Sequence, residues 1–216
     1  MNHLPLILAS HSPRRRQLLT DAGFTFEVRL PDTDVEDARQ PNETPEHYVN
    51  RLAIQKANNV AATLEQGLII ACDTVVLCKD RILEKPTNRD NARQMLRFSR
   101  GQVQWVLSGL CLLTKKIPET SGSGTTMVGT GKTTLLMQPI TDLEIEDYLD
   151  SGLWHGKAGA FGYQDRHDWL SVIEGSESNI VGLPMELLHQ MLKNIKPKPL
   201  FSLPHTAHSE SFAGGI

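Results

Sequence analysis

The stretch GLIIACDTVVLC, residues 67–78, decides the fold of this 216-residue chain. It is an apolar run rich in Val, Ile and Leu, which predicts a strand in the core of the protein. The polar KDR at 79–81 turns the chain back into ILEKP at 82–86, so the two segments predict a β-hairpin. Asp73 stands in the middle of the strand, where a carboxylate is costly to bury unless it is paired or has a function.

Predicted strands and helices alternate on both sides of this hairpin. Further strands are predicted at LPLILAS (4–10), FTFEVRL (24–30), GQVQWVLSGLCLLT (101–114), TTLLMQPI (133–140) and WLSVIEGS (169–176). Helices are predicted at SPRRRQLLTDAG (12–23), PEHYVNRLAIQKANNVAATLE (45–65), TNRDNARQMLRFS (87–99), DLEIEDYLDSG (142–152) and LPMELLHQMLKNI (183–195). Ser12, Thr44 and Thr141 stand where helix N-caps are expected, and Gly23 stands where a helix should end. Interleaved strands and helices with one hairpin predict an α/β fold with a mixed sheet.

Two polar segments are predicted to lack regular structure. Residues 118–130 are rich in Gly, Ser and Thr and predict a flexible connection. Residues 196–216 are rich in Pro, Ser and His and predict a disordered tail. We therefore expect one domain over residues 1–195.

Bulk properties exclude several classes of function. The formal net charge of −3 implies no nucleic-acid partner. No stretch approaches the ~20 apolar residues that a membrane helix needs, and the apolar run near the amino end is too short for a signal sequence. The cysteines, Cys72, Cys78 and Cys111, lie in strand-like runs without metal-ligand spacing, which predicts reduced core residues in a cytoplasmic protein.

The segment TTMVGTGKTTLLMQ, residues 125–138, ends like a phosphate-binding P-loop but lacks its other features. A P-loop needs a glycine six residues before its lysine, and Thr126 occupies that position relative to Lys132. It also needs a helix after the lysine, whereas the following residues are β-branched and apolar and reach Pro139. We interpret the segment as a loop that enters a strand.

A better anion site is predicted at the amino end, where a strand ending in Ser10 passes into a helix. The first turn of that helix carries Arg14 and Arg15, although the helix dipole repels cations from this end. Bound phosphate would offset that cost, since amides at a helix start and forked guanidinium donors both suit its oxygens. A solvated basic face paired with acidic loops is the alternative.

Further candidates are scattered along the chain. Lys56 falls on the apolar stripe of its helix and either snorkels to the edge or points into a cleft. Asp73 is a candidate general base, with a structural aspartate held by backbone amides as the alternative. Lys85 adds a cation at the end of the hairpin. Glu36, beside Asp37 in an acidic loop, could offer oxygen to a divalent ion, and Gln164 could read a base edge or face water.

Taken together, these segments resemble the Maf family of nucleoside triphosphate pyrophosphatases over roughly residues 4–192. The stretches that carry the resemblance are LILASHSPRRRQLL, YVNRLAIQKA, ACDTVVL with ILEKP, EIEDYLDSG, GKAGAFGYQ and IEGSESNIVGLP. The resemblance implies an elongated mixed sheet flanked by helices, with a central cleft between two lobes. It also implies hydrolysis between the α and β phosphates, with help from a divalent cation such as Mg²⁺ or Mn²⁺.

The resemblance further implies roles for individual residues. Asp73 would be the proton acceptor, Glu36 would share in catalysis, and both are candidate metal ligands. The implied phosphate-binding residues are Ser10, Arg14, Arg15, Lys56 and Lys85. The residues implied to influence substrate choice are Arg14, Thr74 and Gln164.

The glycine-rich loop and IEGSESNIVGLP look more like the dTTP/UTP branch of the family than the 7-methyl-GTP branch. Gln104, where many members have histidine, and Asp165, where glycine often follows the glutamine, depart from the family pattern. A 7-methyl-GTP pyrophosphatase and a non-catalytic, nucleotide-sensing regulator of cell division remain the alternatives. The expected partner is a nucleoside triphosphate, and a homodimer is compatible with the resemblance.

Overall fold

The computed structural model describes residues 4–32, 37–116, 124–165 and 167–195 of the chain. The strands are β1 (Leu6–Ala9), β2 (Glu27–Arg29), β3 (Gly67–Cys78), β4 (Arg81–Leu83), β5 (Val103–Lys115), β6 (Thr126–Met137) and β7 (Leu170–Glu174). The helices are α1 (Pro13–Asp21), α2 (Pro45–Ala62), α3 (Arg89–Ser99), α4 (Asp142–Asp150), α5 (Glu177–Val181) and α6 (Met185–Asn194). Short 3₁₀ turns lie at Ala158–Ala160 and His167–Trp169.

In this part of the chain the seven strands form one mixed sheet in the order β2-β1-β3-β5-β6-β7, with β4 also paired to β3. The pairs β1–β2 and β1–β3 are parallel, and the pairs β3–β4, β3–β5, β5–β6 and β6–β7 are antiparallel. The α/β class with a mixed sheet and the hairpin after β3 are therefore confirmed.

Helices cover the sheet in three packed groups. Helices α1 and α6 pack on one face of β1, β3 and β5, around Leu19, Ile70 and Leu188. Helices α3 and α4 form a second core with β5 and β6, around Leu96 and Ile145. Helix α2 packs against β1 and β3 through a third cluster that includes Ala57 and Ile69.

An opening in the sheet lies beside the middle of β3. Strand β1 pairs with β3 as far as Ala71, and β4 pairs with β3 from Val76 onward. Residues 72–75, which include Asp73, therefore border a gap at the carboxyl end of β1. In open α/β sheets, ligands bind in such crevices beyond strand ends.

Local signals placed several helix ends correctly. The side chains of Ser12 and Thr44 accept hydrogen bonds from amides of the first turns of α1 and α2. Thr141 and Glu144 form the expected capping box at α4. Gly23 follows α1 with a φ of 76°, a conformation that glycine adopts at little cost.

Two predictions about the carboxyl half were incorrect. Strand β6 begins at Thr126, not at Thr133, so the described part of the predicted flexible connection is largely strand. The GKT sequence lies inside this antiparallel strand and does not enter it from a loop, with the Lys132 ammonium 5.7 Å from the centre of the Trp105 ring. Helix α5 was not predicted. The predicted tail at 196–216 lies outside the described residues.

None of the helices in the described part of the chain is both long enough and apolar enough to cross a membrane.

Candidate active site

A cavity of about 810 Å³ opens beside the gap in the sheet, between the start of α1 and the glycine-rich loop after α4. Its lining includes eight of the nine residues predicted from the sequence: Ser10, Arg14, Arg15, Lys56, Asp73, Thr74, Lys85 and Gln164. The ninth, Glu36, lies outside the described residues. Positive side chains from α1, α2 and the segment after β4 thus share one cavity with the acid of β3.

Arg15 is fixed by contacts that span the sheet and α5. Its Nε donates to the carbonyl oxygen of Gly182 at 2.7 Å, and a terminal nitrogen donates to Thr74 Oγ1 at 3.0 Å. Thr74 Oγ1 lies 2.8 Å from the Ser108 hydroxyl on β5, and the Ser10 hydroxyl lies 3.5 Å from the guanidinium of Arg15. The guanidinium is therefore held in place before any anion arrives.

Lys56 and Asp73 form a buried ion pair. The ammonium nitrogen of Lys56 donates to Asp73 Oδ1 at 2.5 Å, and the two residues are 6% and 8% exposed. Lys56 thus lies in the cleft and does not snorkel to the helix edge. Asp73 is held by this ammonium, and the alternative of a carboxylate satisfied by backbone amides is not needed to explain its burial.

Arg14 lines both the cavity and a smaller adjoining pocket. Burial lowers the pKa of Arg14, the neighbouring charge of Arg15 lowers it further, and Asp165 and Tyr148 offset part of the effect. Two adjacent guanidinium groups at a helix start repel each other and the helix dipole. An anion with several oxygens would relieve both interactions.

The glycine-rich loop is anchored by a polar cluster below Gln164. Asp165 accepts hydrogen bonds from Lys157 and, at 2.7 Å, from the hydroxyl of Tyr148. Burial and the contact with Asp165 raise the pKa of Tyr148. Gln164 is exposed at the cavity rim, and with Arg14 it also lines a smaller adjoining pocket. Asp165, which departs from the family pattern, therefore anchors this loop through its contacts with Lys157 and Tyr148.

The carboxylates expected to hold a metal ion are only partly described. Among described residues, no group of three or more His, Cys, Asp or Glu side chains is arranged to hold a metal. Asp37 lies away from the cavity lining and accepts a hydrogen bond from Gln55 at 2.5 Å. Mg²⁺ bound with a nucleotide commonly uses one or two carboxylates plus phosphate oxygens and water. Asp73, which lines the cavity, could supply one such carboxylate.

Sequence reasoning missed two glycines that shape the site. Gly182 has a φ of 123° and supplies the carbonyl that holds Arg15. A Cβ at Gly109, which pairs with Asp73, would lie 2.3 Å from the carbonyl oxygen of Val49 in α2. Gly109 thus lets α2, which carries Lys56, approach the sheet. Close backbone approach leaves no signal in a single sequence beyond the glycine itself.

The three cysteines are unpaired and buried, as predicted. The Cys72 thiol donates to the carbonyl oxygen of Gly182 at 3.3 Å, and burial raises its pKa. None of the three is therefore a reactive nucleophile at the cavity.

A cleft with fixed cations and one buried acid has the groups that a hydrolase acting on a polyphosphate requires. Residues 5–195 match the family described as Maf-like protein, and the chain belongs to this family.

Three relatives share the name dTTP/UTP pyrophosphatase. The protein from Rhodopirellula baltica is 46% identical over 88% of this chain and 82% of its own length. The proteins from Koribacter versatilis and Dehalococcoides mccartyi are 36% and 38% identical, over 87% and 88% of this chain and 93% and 82% of their own lengths. The solved structure of a nucleoside-triphosphatase, dITP/XTP pyrophosphatase, from Mycobacterium abscessus covers 90% of this chain and 100% of its own at 14% identity, with a TM-score of 0.37.

Proposed function

We propose that this protein hydrolyses nucleoside triphosphates between the α and β phosphates, giving a nucleoside monophosphate and pyrophosphate, with dTTP and UTP favoured. The observation that carries the proposal is the cavity in which the Lys56–Asp73 pair lies beside the cations of α1. The names of the relatives support both the reaction and the choice of base.

Hydrolysis of a phosphoanhydride requires that the charge on the phosphates be neutralised and that a water molecule be positioned in line. Arg14, Arg15 and Lys85 supply fixed or nearby positive charge for the phosphates, and the hydroxyl of Ser10 supplies a neutral donor. Because Arg15 is already held by Gly182 and Thr74, little reorganisation is required when the triphosphate binds.

Asp73 is the proposed acceptor of the water proton. Its contact with Lys56 fixes one of its oxygens, so the other oxygen is available to a water molecule. In this account Lys56 first positions Asp73 and also adds positive charge near the leaving phosphates.

We further propose that a divalent cation takes part, with Asp73 as a ligand and Glu36 as a second candidate. Such a cation, when bound, neutralises phosphate charge and lowers the pKa of a coordinated water. A cytoplasmic location completes the proposal, and the three unpaired cysteines support it.

The test is a panel of pyrophosphate-release assays with dTTP, UTP, CTP, ATP and 7-methyl-GTP, on the wild type and on Asp73→Asn. The proposal expects dTTP and UTP to give the highest kcat/KM and the variant to lose about 10²–10⁴-fold in kcat. Dominant turnover of 7-methyl-GTP would favour the other family branch. Absence of turnover with every nucleotide, despite measurable binding, would favour the nucleotide-sensing regulator.

A further inference from the structure

One mostly buried carboxamide, that of Gln104, lines the cavity. Gln104 of β5 lines the cavity, is only 6% exposed, and makes no side-chain hydrogen bond to any other described residue. An amide that faces a cavity without a protein partner can form its hydrogen bonds with a ligand in an enclosed site.

Gln104 has an apolar neighbour on each adjacent strand. Its partner residues across the sheet are Cys78 of β3 and Leu135 of β6. Apolar side chains that also line the cavity include Val76, Val106, Leu135, Met137, Phe161 and Leu170. Apolar walls with a few polar groups are typical of a pocket for a flat ring, because the walls bury the ring and the polar groups fix its orientation.

The position of Gln104 also matches the length of a nucleotide. Thr74 pairs with Ser108, and Cys78 pairs with Gln104, so Gln104 lies four positions from Ser108 along β5. These residues alternate onto the same face of the sheet, and the separation along the strand is roughly 13 Å. A triphosphate held near Arg15 and Thr74 would therefore direct its base toward Gln104.

We infer that Gln104 contacts the edge of the pyrimidine ring and helps to select the base. The inference rests on the proposed function and adds a specificity-determining residue to it. The imide of uracil or thymine offers one N–H donor flanked by two carbonyl acceptors. The carboxamide of Gln104 offers a matching acceptor and donor, so two parallel hydrogen bonds form in an enclosed site.

The two glutamines of the cavity differ in what they can do. Gln164 is exposed at the rim beside Arg14, where water competes for its hydrogen bonds. Gln104 is more deeply buried, so if its carboxamide is removed, little water is available to replace it at the edge of the ring. Discrimination between substrates is strongest at enclosed polar contacts of this kind.

The experiment compares kcat/KM for UTP, 3-methyl-UTP and methyl triphosphate in the wild type and in Gln104→Met. Methylation removes the imide donor, and methyl triphosphate has no base. For the wild type we expect a loss of about 10-fold or more on methylation, the amount expected for one enclosed hydrogen bond. In Gln104→Met we expect a similar loss with UTP, little further loss with 3-methyl-UTP, and unchanged cleavage of methyl triphosphate. Gln94→Met, an exposed change on α3, is the matched control.

Equal methylation penalties in the wild type and in Gln104→Met would overturn the inference. If the variant is misfolded and fails with methyl triphosphate as well, the wild type decides alone: equal kcat/KM for UTP and 3-methyl-UTP would overturn the inference. Failure of the wild type to release pyrophosphate from UTP would instead overturn the proposed function.

Discussion

Replacing Lys56 by methionine removes the charge of the buried pair while keeping a side chain of similar length. In the native protein, 8% of the Lys56 side chain and 11% of the Asp73 side chain are exposed, so solvent screens a remaining charge only weakly. Removing one member of a buried pair leaves an uncompensated charge, which typically costs about 3–5 kcal/mol. We therefore expect Lys56→Met to lower the free energy of unfolding by roughly this amount.

Urea denaturation at neutral pH measures the effect. With an m-value of about 2 kcal/mol/M, the midpoint should fall by roughly 2 M. The matched control is Lys132→Met on β6, where the lysine is exposed and contacts only the Trp105 ring among the interactions described for its side chain. That control should lose at most about 1 kcal/mol.

A double-mutant cycle separates the pair from other effects of the substitution. Asp73→Asn removes the buried charge, so adding it to Lys56→Met should recover stability, with a coupling free energy of about 2 kcal/mol or more. A loss of less than about 1 kcal/mol for Lys56→Met, or additive effects in the cycle, would refute the claim that a buried ion pair holds Asp73.

Three further substitutions test the surroundings of the site. Gly109→Ala would place a Cβ 2.3 Å from the carbonyl oxygen of Val49. We therefore expect the free energy of unfolding, measured by thermal denaturation, to fall by about 1–3 kcal/mol. Unchanged stability would contradict the close approach of α2. Gly182→Ala introduces a side chain at a φ of 123° and should displace the carbonyl that holds Arg15. We expect the free energy of unfolding to fall by about 1–3 kcal/mol and the KM for dTTP to rise. An unchanged KM would show that this carbonyl does not position Arg15. Lys132→Met should keep kcat/KM within about 2-fold of the wild type, and inactivation would revive the P-loop interpretation.

Much of the fold could be predicted from the sequence because its signals are local. Ser12 and Thr44 cap their helices through amides three residues away, and the apolar run of β3 marks a strand on its own. The start of β6 was missed because its glycines and threonines look like a loop. Gly131 instead makes room for helix α6, since a Cβ there would lie 2.6 Å from Pro184. Pairing with β5 holds these residues in a strand despite their weak propensity.

The site could be predicted as a set of residue types but not as a set of contacts. Lys56 on an apolar helix stripe and Asp73 in an apolar strand each suggested a cleft. No local sequence signal indicated that these two residues contact each other. The contact between Arg15 and Gly182 joins residues 167 positions apart in the chain. Such pairings follow from the order of the strands and the packing of the helices, which a single sequence does not specify.

The most direct test of the central claim is the identity of the phosphorus products formed from dTTP, followed by ³¹P NMR with the wild type and a divalent cation. Convergence of the α1 cations and Asp73 on one triphosphate predicts dTMP and pyrophosphate in equal amounts, with no orthophosphate. Release of orthophosphate with dTDP would contradict the account, because cleavage would then occur at the terminal phosphate.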